Sequence, residues 1–289
     1  MSNINRIGLV CEGGGQRIVH TAGILDFFLE NNLHFPYVIG VSAGASNSLS
    51  YVSRQIGRNR KIDIDYAKDR RYSSFGNFLR NGSVFGMQFL FDELPNKLVP
   101  FDYDTYFSST SEHVIGITNC ETGKTEYFYK KNIARESLMD ITIASCSLPF
   151  MGKIKTIGNK NYLDGGISDP IPIRKAIEDG YEKNVVLLTQ DYNYKKEPFK
   201  NFNLLKKFFK GYEGIEDIMK NRHIIYNETL DYLKELEEDG KAFIFRPKDL
   251  LKVGRTTKNS KKLERLFNQG YSIAKEKRDS LIEWMNKVA

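Results

Sequence analysis

Cysteine is scarce. The chain of 289 residues holds three, Cys11, Cys120 and Cys146, an odd and widely spaced set in apolar or small-residue surroundings. That pattern excludes a disulfide scaffold and reads as buried thiols. Histidine is nearly as rare: His20, His34, His113 and His223 stand far apart with no second ligand at metal spacing, so no metal site is expected. Long hydrophobic runs are missing too, since no stretch approaches the roughly 18 apolar residues that span a bilayer. Residues 1–6 carry no apolar signal region and neither end matches a lipidation signal, so a cytoplasmic protein without a membrane span is expected.

What remains is an ordinary globular composition. With 40% hydrophobic and 27% charged residues, neither a fibre nor a disordered chain is indicated. The length suits one large α/β domain or two smaller ones. The net charge of +7 is concentrated: residues 54–71 hold seven basic side chains against three aspartates, and 195–210 hold six lysines against one glutamate. Such runs serve as solvated surface or draw anionic partners. No nucleic-acid motif accompanies them, so nucleic acid is not expected.

The chemistry centres on Tyr37-Val38-Ile39-Gly40-Val41-Ser42-Ala43-Gly44-Ala45. A β-branched run enters a turn and a segment of small residues leaves it, which reads strand, sharp turn, helix. Gly40 and Gly44 lie two residues either side of Ser42, where a Cβ would collide with crowded backbone. This is the pattern of a nucleophile elbow, with Ser42 at the amino end of a helix whose unpaired N–H groups favour a developing anion.

Upstream, a short apolar strand over 6–11 runs into Glu12-Gly13-Gly14-Gly15-Gln16-Arg17. No Gly-Lys-Ser/Thr follows, and Ile18 stands where a dinucleotide fingerprint needs glycine or alanine, so nucleotide binding loses ground. Bare glycine N–H groups can instead hold an oxyanion beside a nucleophile elbow; a plain tight turn is the alternative. A helix over 21–31 then returns the chain to the Ser42 strand as a parallel crossover.

Further along, 75–94 is aromatic and jointed by glycines, which suits either core packing or a flap lining an acyl pocket. Residues 113–119 and 125–129 form a hairpin. A helix over 137–144 leads into Ala144-Ser145-Cys146-Ser147-Leu148-Pro149, and a strand leads into Asp164-Gly165-Gly166. The two glycines let a carboxylate stand in a cleft, although Asp-Gly is also a common turn. Residues 184–189 read as a buried strand. The run 195–210 reads as a basic amphipathic helix, docked on its own protein or on a membrane surface. Beyond it come a long helix over 214–238, a strand over 242–246 and a helical tail over 260–288 with a break near Gly270.

Taken together, the glycine loop, the Gly40-to-Gly44 elbow, the 144–149 motif and Asp164-Gly165-Gly166 resemble the ordered motif set of the patatin-like phospholipase family over about residues 6–189, most like bacterial members with a helical C-terminal extension. The resemblance implies a three-layer α/β fold with a mainly parallel central sheet, a catalytic domain over 1–189, and a mainly helical region over 190–289 packed on it. It implies a serine lipid acyl hydrolase of phospholipase A or esterase type, without a cofactor, acting on a lipid or other carboxylic ester. Ser42 matches the nucleophile and Asp164 its partner, with no histidine. Gly13, Gly14 and Gly15 match the oxyanion loop. Arg17 matches the basic residue that closes the glycine motif, either facing a lipid phosphate or holding the loop. The basic runs add peripheral contact with an anionic membrane surface.

Three alternatives stay open. A Ser-Asp-His esterase would need a histidine after the acid, and only His223 follows Asp164. An acyltransferase would share every motif. A non-catalytic module would bind membranes through 195–210.

Overall fold

Aliphatic residues in the apolar runs alternate between two faces of a sheet, and each face meets a different layer of helices. The computed structural model describes residues 3–201, 203, 206–207 and 209–287. In chain order, β1 (Ile7–Cys11), α1 (Val19–Glu30), β2 (Tyr37–Val41) and α2 (Ala43–Val52) form the first crossover and the elbow. Then come α3 (Phe75–Asn81), the hairpin β3 (Glu112–Asn119) and β4 (Thr125–Tyr129), and α4 (Leu138–Ser145). A second hairpin, β5 (Lys155–Ile157) and β6 (Lys160–Asp164), precedes α5 (Ile173–Glu178) and β7 (Lys183–Leu187). The chain closes with α6 (Glu213–Glu238), β8 (Ala242–Phe245), α7 (Ser260–Glu276) and α8 (Arg278–Asn286).

Among the described residues the sheet has eight strands in the order β5-β6-β3-β2-β1-β7-β8, with β4 beside β3. Strands β8, β7, β1, β2 and β3 run parallel, and β4, β5 and β6 are antiparallel to their neighbours. Leu9, Val38, Ile115 and Val185 point into a core shared with Leu25, Phe28 and Leu49 of α1 and α2. Val10, Ile39, Val114 and Val186 point the other way, against Ile173 and Ala176 of α5 and Tyr226 and Leu233 of α6. Side chains that alternate at period two thus seal both faces of one sheet, giving the three layers.

Register brings the site together. β2 pairs with β3 up to Val41 opposite Gly116, while β4 holds the other edge of β3. At Ile117, β6 takes over the edge that β2 has left, with Asp164 opposite Ile117. The last residue of one strand and the last of the other therefore abut, and Ser42 comes next after Val41.

Two expectations fail locally. Residues 195–201 are not helical, because Pro198 removes an N–H donor and disfavours helix at Glu197, whereas 203 and 206–207 of the same run are helical. Phe202, Leu204, Leu205 and Phe208 of the same run lie outside the described residues, as does Val288 at the end of the tail. The tail does not break at Gly270 either. It breaks at Lys277, and α7 runs through Gly270 because a Cβ there would lie 2.0 Å from the carbonyl oxygen of His20 on α1. Gly23 of α1 answers it, its Cβ position being 2.2 Å from the Phe267 carbonyl. The glycines let two helices cross in backbone contact, which is a packing role rather than a helix stop.

Three of the seven basic side chains of the run 54–71 are engaged within the protein. Arg58 is buried, donating to Ser50 Oγ and the Val99 carbonyl. Arg60 pairs with Glu264 at 2.8 Å, and Arg71 with Asp69 and Glu93.

Candidate active site

Ser42 sits between β2 and α2 with φ 55° and ψ −134°, a left-handed conformation that costs a non-glycine residue roughly 1–3 kcal/mol. Its surroundings force it. A Cβ on Gly40 would lie 2.8 Å from the Ala45 nitrogen, and one on Gly44 would lie 2.4 Å from the Cys11 carbonyl oxygen. The Ser42 N–H donates to Ser145 Oγ at 2.8 Å, and that hydroxyl donates to the Gly116 carbonyl at 2.8 Å. Ser145 therefore ties the elbow to β3, a role its place in the 144–149 motif did not disclose.

The Ser42 hydroxyl donates to Asp164 Oδ2 at 2.6 Å. The other carboxylate oxygen accepts the Gly166 N–H at 2.8 Å, and the Thr118 hydroxyl holds the Asp164 carbonyl at 2.8 Å. Burial pushes the Asp164 carboxyl up to about 6, against the pull of the Ser42 hydroxyl, the Arg222 charge and the Gly166 N–H. The turn reading and the cleft reading of Asp-Gly-Gly thus describe one structure: the turn supplies the hydrogen bond that fixes the carboxylate.

The glycine loop lies against Ser42. A Cβ on Gly13 would stand 2.7 Å from Ser42 Cβ, one on Gly14 2.6 Å from Thr189 Oγ1, and Gly15 has φ 57° with its Cβ position 2.6 Å from the Arg255 carbonyl. Among the described residues the N–H groups of Gly13 and Gly14 find no acceptor, and Ala43, opening α2, has no acceptor for its own within the helix. Thr189 clamps the loop: its hydroxyl donates to the Gly13 carbonyl, its N–H donates to Glu12 Oε2, and its carbonyl accepts Arg17 Nε at 3.2 Å. Glu12 also accepts the Tyr226 hydroxyl from α6 at 2.7 Å. Arg17 is thereby bonded to the loop's clamp, and it also lines a cavity.

Two cavities meet at Ser42, sharing Gly15, Ser42 and Leu148. The first, with about 770 Å³ of empty space, is lined largely by apolar side chains, among them Ile62, Phe85, Met87, Leu90, Phe91 and Met139. The aromatic stretch thus both packs and lines: Phe89 and Leu94 are core, Phe85 and Phe91 face the cavity. The second, smaller and open to solvent, holds Asp164 and Glu12 together with Arg17, Lys196, Arg222 and Arg255. None of the four histidines lines either cavity. His223 is on α6 with Nδ1 3.1 Å from the Lys220 carbonyl.

The sequence profile of the family described as Patatin-like phospholipase matches residues 9–177, more than half of the chain. The chain belongs to that family. A second profile, a domain of unknown function (DUF6363), matches residues 212–286. Over 189 residues the chain is 33% identical to the uncharacterized protein YjjU of Escherichia coli (strain K12), a match covering 64% of this chain and 52% of that protein, so the chain spans about half the length of that relative. The crystal structure of VipD from Legionella pneumophila superposes with a TM-score of 0.53 at 12% identity, covering 95% of this chain and 67% of VipD, a likeness of fold. The patatin-like part supplies Ser42, Asp164, the glycine loop and Arg17. Lys196, Arg222 and Arg255 come from beyond it and carry no motif that spacing could have revealed.

Proposed function

We propose that the chain is a serine lipid acyl hydrolase of phospholipase A or esterase type, working through a Ser42–Asp164 dyad and an acyl-enzyme. The 2.6 Å hydrogen bond from Ser42 Oγ to Asp164 Oδ2, with Ser42 in the wall of an apolar cavity, carries this reading. Asp164 takes the hydroxyl proton as Ser42 Oγ attacks the ester carbonyl, and the free N–H groups of Gly13 and Gly14 receive the developing oxyanion. Collapse breaks the ester C–O bond, and Asp164 returns the proton to the departing alcohol. Water, giving its proton to Asp164, then opens the acyl-enzyme and Ser42 is restored.

A carboxylate near its ordinary value of ~4 is a weak base for an alcohol. Burial, which raises Asp164 to about 6, and the amino end of α2 beneath the alkoxide both narrow that gap. Labelling with a fluorophosphonate, read by intact mass, tests the nucleophile: one adduct on the wild type and none on Ser42→Ala is expected. An adduct persisting on Ser42→Ala would sink the assignment.

Contact with an anionic lipid surface is the delivery route we infer. Phe75 and Leu79 on α3 are 71% and 70% exposed, and Ser73 bridges to the cavity-lining Phe85 across that helix. Among the described residues no helix is long and apolar enough to cross a membrane. Loss of vesicle sedimentation in a Phe75→Ser, Leu79→Ser double variant is expected, and undiminished sedimentation would refute the route.

A further inference from the structure

The second cavity gathers four cations around two carboxylates, and both carboxylates are already engaged. Glu12 accepts the Thr189 N–H and the Tyr226 hydroxyl; Asp164 accepts the Ser42 hydroxyl and the Gly166 N–H. Arg17 spends one N–H on the Thr189 carbonyl and Arg222 one on the Gly166 carbonyl at 2.7 Å. The Arg255 guanidinium and the Lys196 ammonium have no hydrogen-bond partner among the described residues, and Lys196 lies only over the Tyr226 ring, at 5.2 Å. None of the four makes an ion pair among the described residues.

Cations held this close repel one another, and a half-buried site keeps them only at a cost that an anion between them would offset. The strain is visible at Lys196, which burial, Arg222 and Arg255 together pull down to about 7. Planar guanidinium forks suit the oxygens of a phosphate. An ester bound at Ser42 has two halves and two cavities to fill, one apolar and one cationic.

We propose that the second cavity seats a phosphate carried on the alcohol half of the substrate ester, with Lys196, Arg222 and Arg255 completing a subsite begun by Arg17. The residues that follow the patatin-like part thereby choose the head group, while the apolar cavity takes the acyl chain. This rests on the dyad reading, which fixes where the scissile carbonyl lies.

The test compares 1-acylglycerol 3-phosphate with 1-acylglycerol of the same chain. The wild type should favour the phosphorylated ester in kcat/KM by roughly 30-fold, the scale of one or two charge-assisted hydrogen bonds. That ratio should fall about tenfold in Arg255→Gln and in Lys196→Gln, either of which serves if the other misfolds. A wild-type ratio near one, or a ratio unmoved in both variants, overturns the proposal. Calorimetric titration of glycerol 3-phosphate into the wild type and Ser42→Ala reads the cavity without turnover. Binding that Arg255→Gln weakens, in a protein that hydrolyses no ester, would retain the subsite and reject the dyad. Hydrolysis with no glycerol 3-phosphate binding and a ratio near one would retain the dyad and reject the subsite. Inorganic phosphate binding as tightly as glycerol 3-phosphate, with a ratio near one, would also reject the head-group assignment.

Discussion

The two cavities that meet at Ser42 are built by opposite means. The apolar one is made within the patatin-like part, from side chains of the 58–95 region and α4 that also pack into cores behind it. The cationic one is made at a seam, where Lys196, Arg222 and Arg255 from the later part of the chain come down on the glycine loop. Core packing fixes the first, and directed bonds through Thr189, Glu12 and Tyr226 fix the second. The difference separates what each can select. A packed apolar wall measures chain length and shape, whereas a set of fixed charges measures the charge of what enters.

What the cavities share should break both together. Asp164→Asn keeps the shape of the site and removes the proposed base, so turnover of every ester should fall by roughly 10³–10⁴-fold, the scale seen when a dyad or triad acid is made neutral. Steady-state rates on a phosphorylated and a neutral ester check this; full activity in folded protein would exclude Asp164. Gly44→Ala acts through structure instead. Its Cβ would meet the Cys11 and Glu12 carbonyls at 2.4 and 2.7 Å, backbone atoms that cannot step aside. A loss of about 3 kcal/mol or more in urea unfolding is expected, at the high end for one substitution. A wild-type midpoint would show that the elbow is looser than its contacts indicate.

The shared centre is also what the sequence made legible. The elbow and the glycine loop are short-range patterns in which a glycine, a turn and a reactive group fall within a few residues. Asp164 was legible only as one of several readings, because its partner is fixed by the handover on β3 from β2 to β6, a register no local pattern encodes. The cationic cavity was not legible at all. Lys196 lies in a run whose mix of lysines and apolar residues suggested an amphipathic helix, and Arg222 on α6 adjoins the histidine that a triad would have used. Arg255 precedes α7 in a polar loop. Nothing in their spacing marks three cations from a loop, a helix and another loop as neighbours. Gly270 misleads for the same reason: a helix crossing and a helix break leave one signature until the partner helix is known.

A crossed pair of variants sharpens the comparison. Leu90→Trp narrows the apolar cavity, so the ratio of long-chain to short-chain ester turnover should drop by roughly tenfold, the scale of a few displaced methylenes. Its ratio of phosphorylated to neutral ester should stay that of the wild type, whereas Arg255→Gln should do the reverse. Measured on four esters, two chain lengths by two head groups, the effects should separate. If each variant shifts both ratios, the cavities are coupled through Leu148 or Gly15 and the division of labour fails.

The smallest expected effect is in pH dependence, where the cavities should again differ. As the proposed base, Asp164 works only when ionised, and its raised value of about 6 places the expected loss of activity as pH falls through about 6, rather than near the ~4 of an ordinary aspartate. That acid limb belongs to both substrates. Lys196 works in the opposite sense: it is charged below about 7 and neutral above, so help to an anionic head group fades as pH rises through about 7. The groups acting on it are Arg222 on α6, Arg255 before α7, and Arg17 and Glu12 of the glycine loop, of which Glu12 alone favours its charged form. Because kcat/KM reports the free enzyme, the phosphorylated ester should show an extra decline above neutral pH of about two- to fivefold, the arginines keeping the rest. The substrate phosphate gains negative charge over the same range, which favours binding and opposes the decline, so the comparison that decides is with Lys196→Gln, whose profile should lack the extra decline. A decline equally steep in that variant would show that Lys196 does not cause it and would refute this role for its charge.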